Sequence, residues 1–178
     1  MKYDVDYITQ YIINYDPGVS KTAITVGVAL VCSTTVGLSL IKPEKPALVK
    51  NISIVLTGLY VILMFYVTVL CRDSSSERLL IWKPFWSYFK LYNRILAEHI
   101  MNVLMFMPFG FLVCSVFEKS SLWKVCFAGS AVSLAIEVTQ FLTKRGICNI
   151  DDVINNTIGC AIGFAGFVLC NKMAKRIA

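Results

Sequence analysis

The stretch Glu137-Val-Thr-Gln-Phe-Leu-Thr-Lys-Arg-Gly-Ile-Cys-Asn-Ile-Asp-Asp-Val-Ile-Asn-Asn-Thr-Ile-Gly159 decides how the chain folds, because it joins two apolar runs through a short polar turn. The first run ends in Glu137 and Gln140, the turn carries Arg145-Gly146, and Asp151-Asp152 opens the second run. An Asp at the centre of a membrane helix costs about 2.5–3.5 kcal/mol on insertion scales. We therefore expect these acidic groups to have polar partners or a function.

The composition around this stretch is that of a membrane protein. Of 178 residues, 57% are hydrophobic and 16% are charged, and the mean hydropathy is +0.68. Soluble domains carry about 25% charged residues. Several apolar runs reach about 20 residues, the length that crosses a bilayer core. The net charge of +6 suits short basic loops beside anionic headgroups, and no basic tract or RNA motif indicates nucleic acid. The sequence predicts an all-α, polytopic transmembrane bundle.

The hydropathy pattern predicts one membrane domain over residues 22–178. About five spans are expected, at 22–41, 51–71, 96–117, 122–142 and 152–171. Residues 1–21 predict an N-terminal interfacial helix, which Asp16-Pro17-Gly18 ends. The aromatic connection at 80–92 is typical of either an interfacial helix or a re-entrant segment, because such rings favour the boundary between lipid and water.

The seven cysteines do not indicate a metal or redox site. Most of them lie inside or at the ends of apolar runs, where Cys acts as a small hydrophobe. Only Cys71 and Cys148 fall near loops, and no Cys/His spacing is typical of zinc. We expect no metal and no cofactor.

Counting five crossings brings the polar side chains of several spans to one membrane face. The prediction is a one-sided polar pocket, with catalytic candidates Glu137, His99 and Asp152 as acid–base groups. The predicted ligand-binding residues are Arg72, Asn102, Glu137, Gln140, Arg145, Asp152, Asn155 and Asn156. The alternative is a network of hydrogen bonds that only packs helices together. No activated nucleophile is evident, so binding is favoured over catalysis and the question of an enzyme stays open.

Two further features bear on assembly and orientation. Gly159-x-x-x-Gly163 is a small-residue pattern for close helix contact, either within the bundle or in a homo-oligomer. Basic residues are denser in the short loops opposite the pocket, including the tail with Lys172 and Lys175. The positive-inside rule then predicts a cytoplasmic C-terminus and an outward-facing pocket.

Five motifs occur in a characteristic order between about residues 60 and 170. They are Pro84-Phe-Trp-Ser-Tyr88, Asn102-Val-Leu-Met-Phe-Met-Pro-Phe-Gly-Phe-Leu112, Glu137-x-x-Gln140, Arg145-Gly146 and Asp151-Asp-Val-Ile-Asn-Asn-Thr-Ile-Gly159. In this order and spacing they resemble the VanZ-like family of small membrane proteins. Residues 1–50 lie outside the resemblance, and His99 belongs to none of the motifs.

The resemblance implies a role in the cell envelope, because the founding member of the family is linked to low-level teicoplanin resistance. We expect a membrane protein whose partners are lipids and a lipid-linked cell-wall precursor or glycopeptide-related ligand, and which contributes to glycopeptide (teicoplanin-type) tolerance. One alternative is a membrane enzyme that modifies a lipid or precursor headgroup. Another is a small transporter or flippase, which is disfavoured because the polar groups gather at one end of the spans.

Overall fold

Four long helices make up most of the chain in the computed structural model, which describes residues 46–89, 93–117 and 119–177 and the single positions 33, 34 and 37. The helices are α1 (Pro46–Phe65), α2 (Asn93–Val116), α3 (Leu122–Thr143) and α4 (Ile150–Ile177). A π-helical turn (Tyr66–Leu70), strand β1 (Leu79–Ile81), a 3-10 turn (Ser87–Phe89) and strand β2 (Ile147–Asn149) connect them.

All four helices are long and apolar enough to cross a membrane. The candidate spans are Ala47–Leu70, Ile95–Val116, Leu122–Thr143 and Ile150–Arg176. Their outer faces expose large apolar side chains such as Ile62, Trp123 and Phe127, at 67%, 85% and 76%. A surface of this kind suits lipid and would associate in water. The predicted fold class is confirmed. The interfacial helix predicted at 1–21 lies outside the described residues, and so does the span predicted at 22–41 apart from positions 33, 34 and 37, which are helical.

Two helices extend beyond the predicted spans at one end. Helix α1 begins at Pro46 rather than near 51, since proline is well tolerated in the first turn of a helix. Helix α4 runs to Ile177 rather than 171 and carries Lys175 and Arg176 in its last turn. Cations there interact favourably with the negative end of the helix dipole.

The aromatic connection between α1 and α2 folds as a strand and a short turn. Strand β1 pairs in parallel with β2, with Leu79 opposite Ile147 and Ile81 opposite Asn149. Leu79 and Ile81 are buried while Leu80 is exposed, as the alternation of a strand requires. This pairing lays the connection over the α3–α4 turn. We call the end of the bundle where α1 and α3 finish and α2 and α4 start the polar end.

Glycines allow α2 and α4 to approach closely. A Cβ on Gly159 would meet the carbonyl oxygen of Val103, and one on Gly163 would meet that of Met107. These two glycines therefore serve packing within the chain, and a homo-oligomer contact through them stays a prediction. Further from the polar end the core is apolar, around the fully buried Phe106.

Candidate functional site

Asn149 joins the end of α3 to the start of α4 at the polar end. Its backbone N–H donates to Oε2 of Glu137 at 2.7 Å, and its side-chain amide donates to Oδ1 of Asp152 at 3.2 Å. Its side-chain oxygen accepts from the N–H of Asp151 at 3.1 Å, as an N-cap asparagine does. One residue thus contacts both predicted carboxylates. It was missing from the predicted site, although an Asn directly before a helix with two acidic residues in its first turn is the usual N-cap signal.

Arg72 and Asn102 complete a group that we call the carboxylate cluster, made of Glu137, Asp152, Arg72 and Asn102. The Asn102 side chain hydrogen-bonds Asp152, and the charge of Arg72 acts on both carboxylates. The charge of Asp152 also acts on Glu137. Glu137 is buried, at 3% exposure, whereas Asp152 is partly exposed. The structure therefore brings together four of the predicted residues from α2, α3, α4 and the segment after α1.

Gln140 lies beside this cluster with one polar atom unused. Its Nε2 donates to the backbone oxygen of Thr68 at 3.0 Å, in the π-helical turn. Its Oε1 is buried and has no hydrogen-bond partner among the described residues. A Cβ built on Gly146 would stand 2.7 Å from Nη1 of Arg72 and 3.4 Å from this Oε1. Both atoms thus face the same small space next to Gly146, so Gln140 points an open acceptor at the cluster.

Arg145, a predicted ligand-binding residue, is engaged with the backbone. Its Nη1 donates to the carbonyl oxygens of Leu70 at 3.0 Å and Arg72 at 3.4 Å. The last carbonyl groups of a helix lack hydrogen-bond partners within the helix. Arg145 provides such a partner at the end of the first described span. The guanidinium that acts on the carboxylates is that of Arg72.

His99 belongs to a neighbouring group with Tyr88 and Asn155. The rings of His99 and Tyr88 stack with centroids 4.5 Å apart and an angle of 11°. The Tyr88 hydroxyl donates to Oδ1 of Asn155, which leaves Nδ2 of Asn155 to donate to Nδ1 of His99 at 2.7 Å. Nε2 of His99 then carries the ring hydrogen, and it is buried with no acceptor among the described residues. Burial, and after it the charge of Asp151, raises the pKa of Tyr88, so its hydroxyl stays a donor at neutral pH.

Asp151 holds the aromatic connection in place. The carboxylate is fully buried and accepts from the backbone N–H groups of Phe85 at 2.6 Å and Ser87 at 3.1 Å, and from the Ser87 hydroxyl. Phe85 itself has a φ of 62°, in the left-handed region. All of these bonds are internal, so Asp151 positions residues 85–87 and Tyr88 rather than facing a ligand.

Asn156 lies one turn deeper than the carboxylate cluster. Its Nδ2 donates to the Ser133 hydroxyl at 2.7 Å, and below it the hydroxyls of Ser130 and Thr157 lie 2.8 Å apart. These contacts link α3 to α4, as interhelical polar contacts in membranes commonly do. The polar groups therefore extend from the polar end toward the middle of the α3–α4 interface.

Cys148 reports the electrostatic character of the site. Burial raises the pKa of its thiol to about 11, and the negative charges of Glu137 and Asp152 act in the same direction. The thiol lies in β2, between α3 and α4, where the negative charges of Glu137 and Asp152 disfavour its ionised form.

A family comparison matches the part of the chain that holds all of these residues. The VanZ/LLP1 family model matches residues 57–171, well over half of the chain. The chain belongs to the VanZ/LLP1 family. It is similar to Protein VanZ of Enterococcus faecium, with 40% identity over 76 residues, which cover 42% of this chain and 47% of that protein. The chain thus matches about half the length of this curated relative. No solved structure matches it.

The arrangement at the polar end offers hydrogen-bond donors, hydrogen-bond acceptors and charge. Glu137 and Asp152 supply acceptors, Arg72 supplies donors, and the unused atoms of Gln140 and His99 supply one acceptor and one donor. Paired carboxylates can also exchange protons with a bound group.

Proposed function

We propose that this VanZ/LLP1-family membrane protein binds a lipid-linked or peptidoglycan-related ligand at the polar end and thereby contributes to teicoplanin-type glycopeptide tolerance. The observation that supports binding is the buried, unpartnered Oε1 of Gln140 beside Arg72, Glu137 and Asp152. The link to glycopeptides comes from the family resemblance.

A packing network alone does not account for these atoms. Buried polar groups in native proteins are almost always hydrogen-bonded, and leaving one unsatisfied costs about 1–3 kcal/mol. Four side-chain polar atoms of the described residues are buried without partners, and two of them, Oε1 of Gln140 and Nε2 of His99, lie at the polar end; the others are Oδ1 of Asn156, one turn deeper, and Oγ of Ser53 in α1. A ligand that bonds these atoms would remove that cost, which favours a binding site over a purely structural cluster.

Acid–base chemistry on a bound headgroup is the second candidate. The electrostatic effect of Asp152 on Glu137 supports it, because two carboxylates in different surroundings can divide the roles of acid and base. The test is mass spectrometry of lipids and cell-wall precursors from expressing cells. An altered species that disappears in Glu137→Gln would show that the protein is an enzyme. An unchanged lipid and precursor profile in tolerant cells would refute enzymatic activity.

The binding proposal is tested by tolerance in a susceptible Gram-positive host. Glu137→Gln and Asp152→Asn remove one charge each with little change of shape, and both should abolish teicoplanin tolerance at normal membrane levels. Glu77→Gln is the matched control, since Glu77 is exposed in the connection before β1, and it should retain tolerance. Full tolerance in both cluster variants would refute the proposal.

The orientation that goes with this proposal places the polar end outside and the C-terminus in the cytoplasm. In an otherwise cysteine-free variant, a cysteine introduced at the exposed position Asp73 should react with an impermeant maleimide in intact cells. Labelling only after cell lysis would show that the polar end faces the cytoplasm.

A further inference from the structure

We propose that the ligand group held by the carboxylate cluster is a primary ammonium, rather than a phosphate or a carboxylate. This inference rests on the proposed binding function and narrows it to one chemistry. The ammonium could belong to an aminated lipid headgroup, such as ethanolamine, or to a soluble amino sugar or peptide amine. Both sources present the same –NH₃⁺ group.

The first argument is the balance of charge. Arg72 is the cation that acts on Glu137, and Asp152 acts on it as well. The positive charge of Arg72 and the negative charges of Glu98 and Asp151 all act on Asp152. The guanidinium of Arg72 therefore acts on two carboxylates, those of Glu137 and Asp152. An uncompensated carboxylate in a low-dielectric site is costly, and a cation is the ligand that compensates it.

The second argument is that two basic side chains of the α3–α4 turn, Lys144 and Arg145, are occupied. Arg145 donates to two backbone carbonyls, and Lys144 donates to the backbone oxygen of Ser76 at 3.1 Å. The start of α4 would otherwise attract phosphate. There the N–H of Asp151 is bonded by Asn149, and the first turn carries two carboxylates of its own.

The third argument is the open acceptor of Gln140. The side chain is 3% exposed, and its Oε1 is buried without a partner, facing the same space as Arg72. An ammonium has three hydrogens to donate and accepts none. The amide oxygen of Gln140 and the carboxylate oxygens of Glu137 and Asp152 are all acceptors, so they match this ligand. A phosphate oxygen is itself an acceptor, so it would form no hydrogen bonds with these atoms.

Asp152 is the more exposed of the two carboxylates in the cluster. Glu137 and Gln140 are almost fully buried, whereas Asp152 is partly exposed at the start of α4. An amine on a flexible headgroup could therefore reach Asp152 first, while its bulkier remainder stays outside the bundle. This favours a terminal ammonium over a quaternary one, whose methyl groups donate no such hydrogen bonds.

The test uses the full-length protein in nanodiscs and pairs each amine with its N-acetylated analogue. Phosphatidylcholine nanodiscs containing phosphatidylethanolamine are compared with nanodiscs containing N-acetyl phosphatidylethanolamine, which keeps the phosphate and loses the ammonium. The soluble arm compares glucosamine with N-acetylglucosamine, and inorganic phosphate is added as an anionic probe. Binding is measured by native mass spectrometry and by the thermal shift.

The amine of at least one pair should bind about tenfold more tightly than its acetylated partner, which corresponds to one lost charged contact. The lipid arm and the soluble arm then identify the source. Glu137→Gln and Asp152→Asn should remove the preference, and Glu77→Gln should keep it. Equal binding of amine and acetylated probes in both arms, no binding of either amine, or tighter binding of phosphate would each overturn the assignment.

The outcome separates this inference from the proposed function. If the cluster variants lose tolerance while the wild type shows no preference for amines, the proposed function is supported and the ammonium ligand is refuted. If the wild type prefers amines through Glu137 but the cluster variants keep full tolerance, the ammonium ligand is supported and the role in tolerance is refuted.

Discussion

The backbone N–H of Asn149 donates to Oε2 of Glu137 across the turn that joins α3 to α4. Glu137 is therefore a support of the fold as well as a member of the carboxylate cluster. This dual role governs the choice of substitution, because a variant that loses the acceptor also loosens the turn. A carboxamide at the same position keeps an acceptor oxygen and removes only the charge.

Glu137→Ala should accordingly lower stability much more than Glu137→Gln. The alanine variant leaves the N–H of Asn149 buried without a partner and opens a cavity, at a cost of about 2–4 kcal/mol. The measurement is thermal unfolding in one detergent, followed by the loss of monodisperse protein. Equal melting temperatures for the two variants would show that the bond to Asn149 contributes nothing.

Asp151 should prove necessary for the fold of the aromatic connection. Asp151→Ala removes three hydrogen bonds and leaves the N–H groups of Phe85 and Ser87 without acceptors. We expect a loss of about 3 kcal/mol or more and faster proteolytic cleavage between residues 79 and 92. Asp73→Asn, at an exposed position, is the control and should cleave at the wild-type rate.

The thiol of Cys148 should react slowly with maleimides at neutral pH. Its pKa is raised to about 11, so the reactive thiolate is scarce, and the rate should rise about tenfold per pH unit until the pH approaches that value. The stabilising effect of the protonated thiol is complete below the ordinary pKa and is lost as the pH rises through about 11.

Glu137→Gln removes one of the charges that act on Cys148, so it should lower this pKa and speed labelling at pH 8. Peptide mapping by mass spectrometry isolates Cys148 from the other cysteines. A rate that levels off near pH 9 in the wild type would contradict the raised pKa.

The sequence predicts the bundle well, because membrane spans follow from length and apolarity alone. The helices α2 and α3 match the predicted spans closely, and counting crossings brings Arg72, Asn102, Glu137 and Asp152 to the same end. Hydropathy does not foresee the β1–β2 pairing, since two strands of three residues carry almost no periodic signal. It also assigns no partner to Arg145, whose side chain is directed by the carbonyls at the end of the π-helical turn.

The different contacts of Asp151 and Asp152 likewise follow from helix geometry. Asp151 and Asp152 are adjacent in sequence and therefore lie about 100° apart around α4. One faces the connection over Phe85 and Ser87, and the other faces Asn102 and Arg72. Which of the two faces the cluster depends on how α4 packs, which the sequence alone does not state.

The α2–α4 contact should tolerate no side chain at Gly163. A Cβ there would meet the carbonyl oxygen of Met107 and stand 2.9 Å from the backbone nitrogen of Phe111. Overpacking of this kind costs about 1–3 kcal/mol, so Gly163→Ala should lower the melting temperature. Gly58→Ala is the matched control, because nothing lies within 4 Å of its Cβ position. It should be neutral or stabilising by up to about 1 kcal/mol. Equal effects of the two would contradict the close helix contact.

Gly146 should be required for the placement of Arg72. Its φ of 130° lies in a region that L side chains rarely adopt, and a Cβ would stand 2.7 Å from Nη1 of Arg72. Gly146→Ala therefore strains the turn and pushes the guanidinium away from Glu137 and Asp152. Strain alone costs about 1–3 kcal/mol, which Gly163→Ala matches without touching Arg72. If Arg72 must face the carboxylates for function, Gly146→Ala should lose teicoplanin tolerance while Gly163→Ala, at a similar melting temperature and membrane level, retains more of it. Equal tolerance in the two variants would show that stability, rather than the position of Arg72, sets the phenotype.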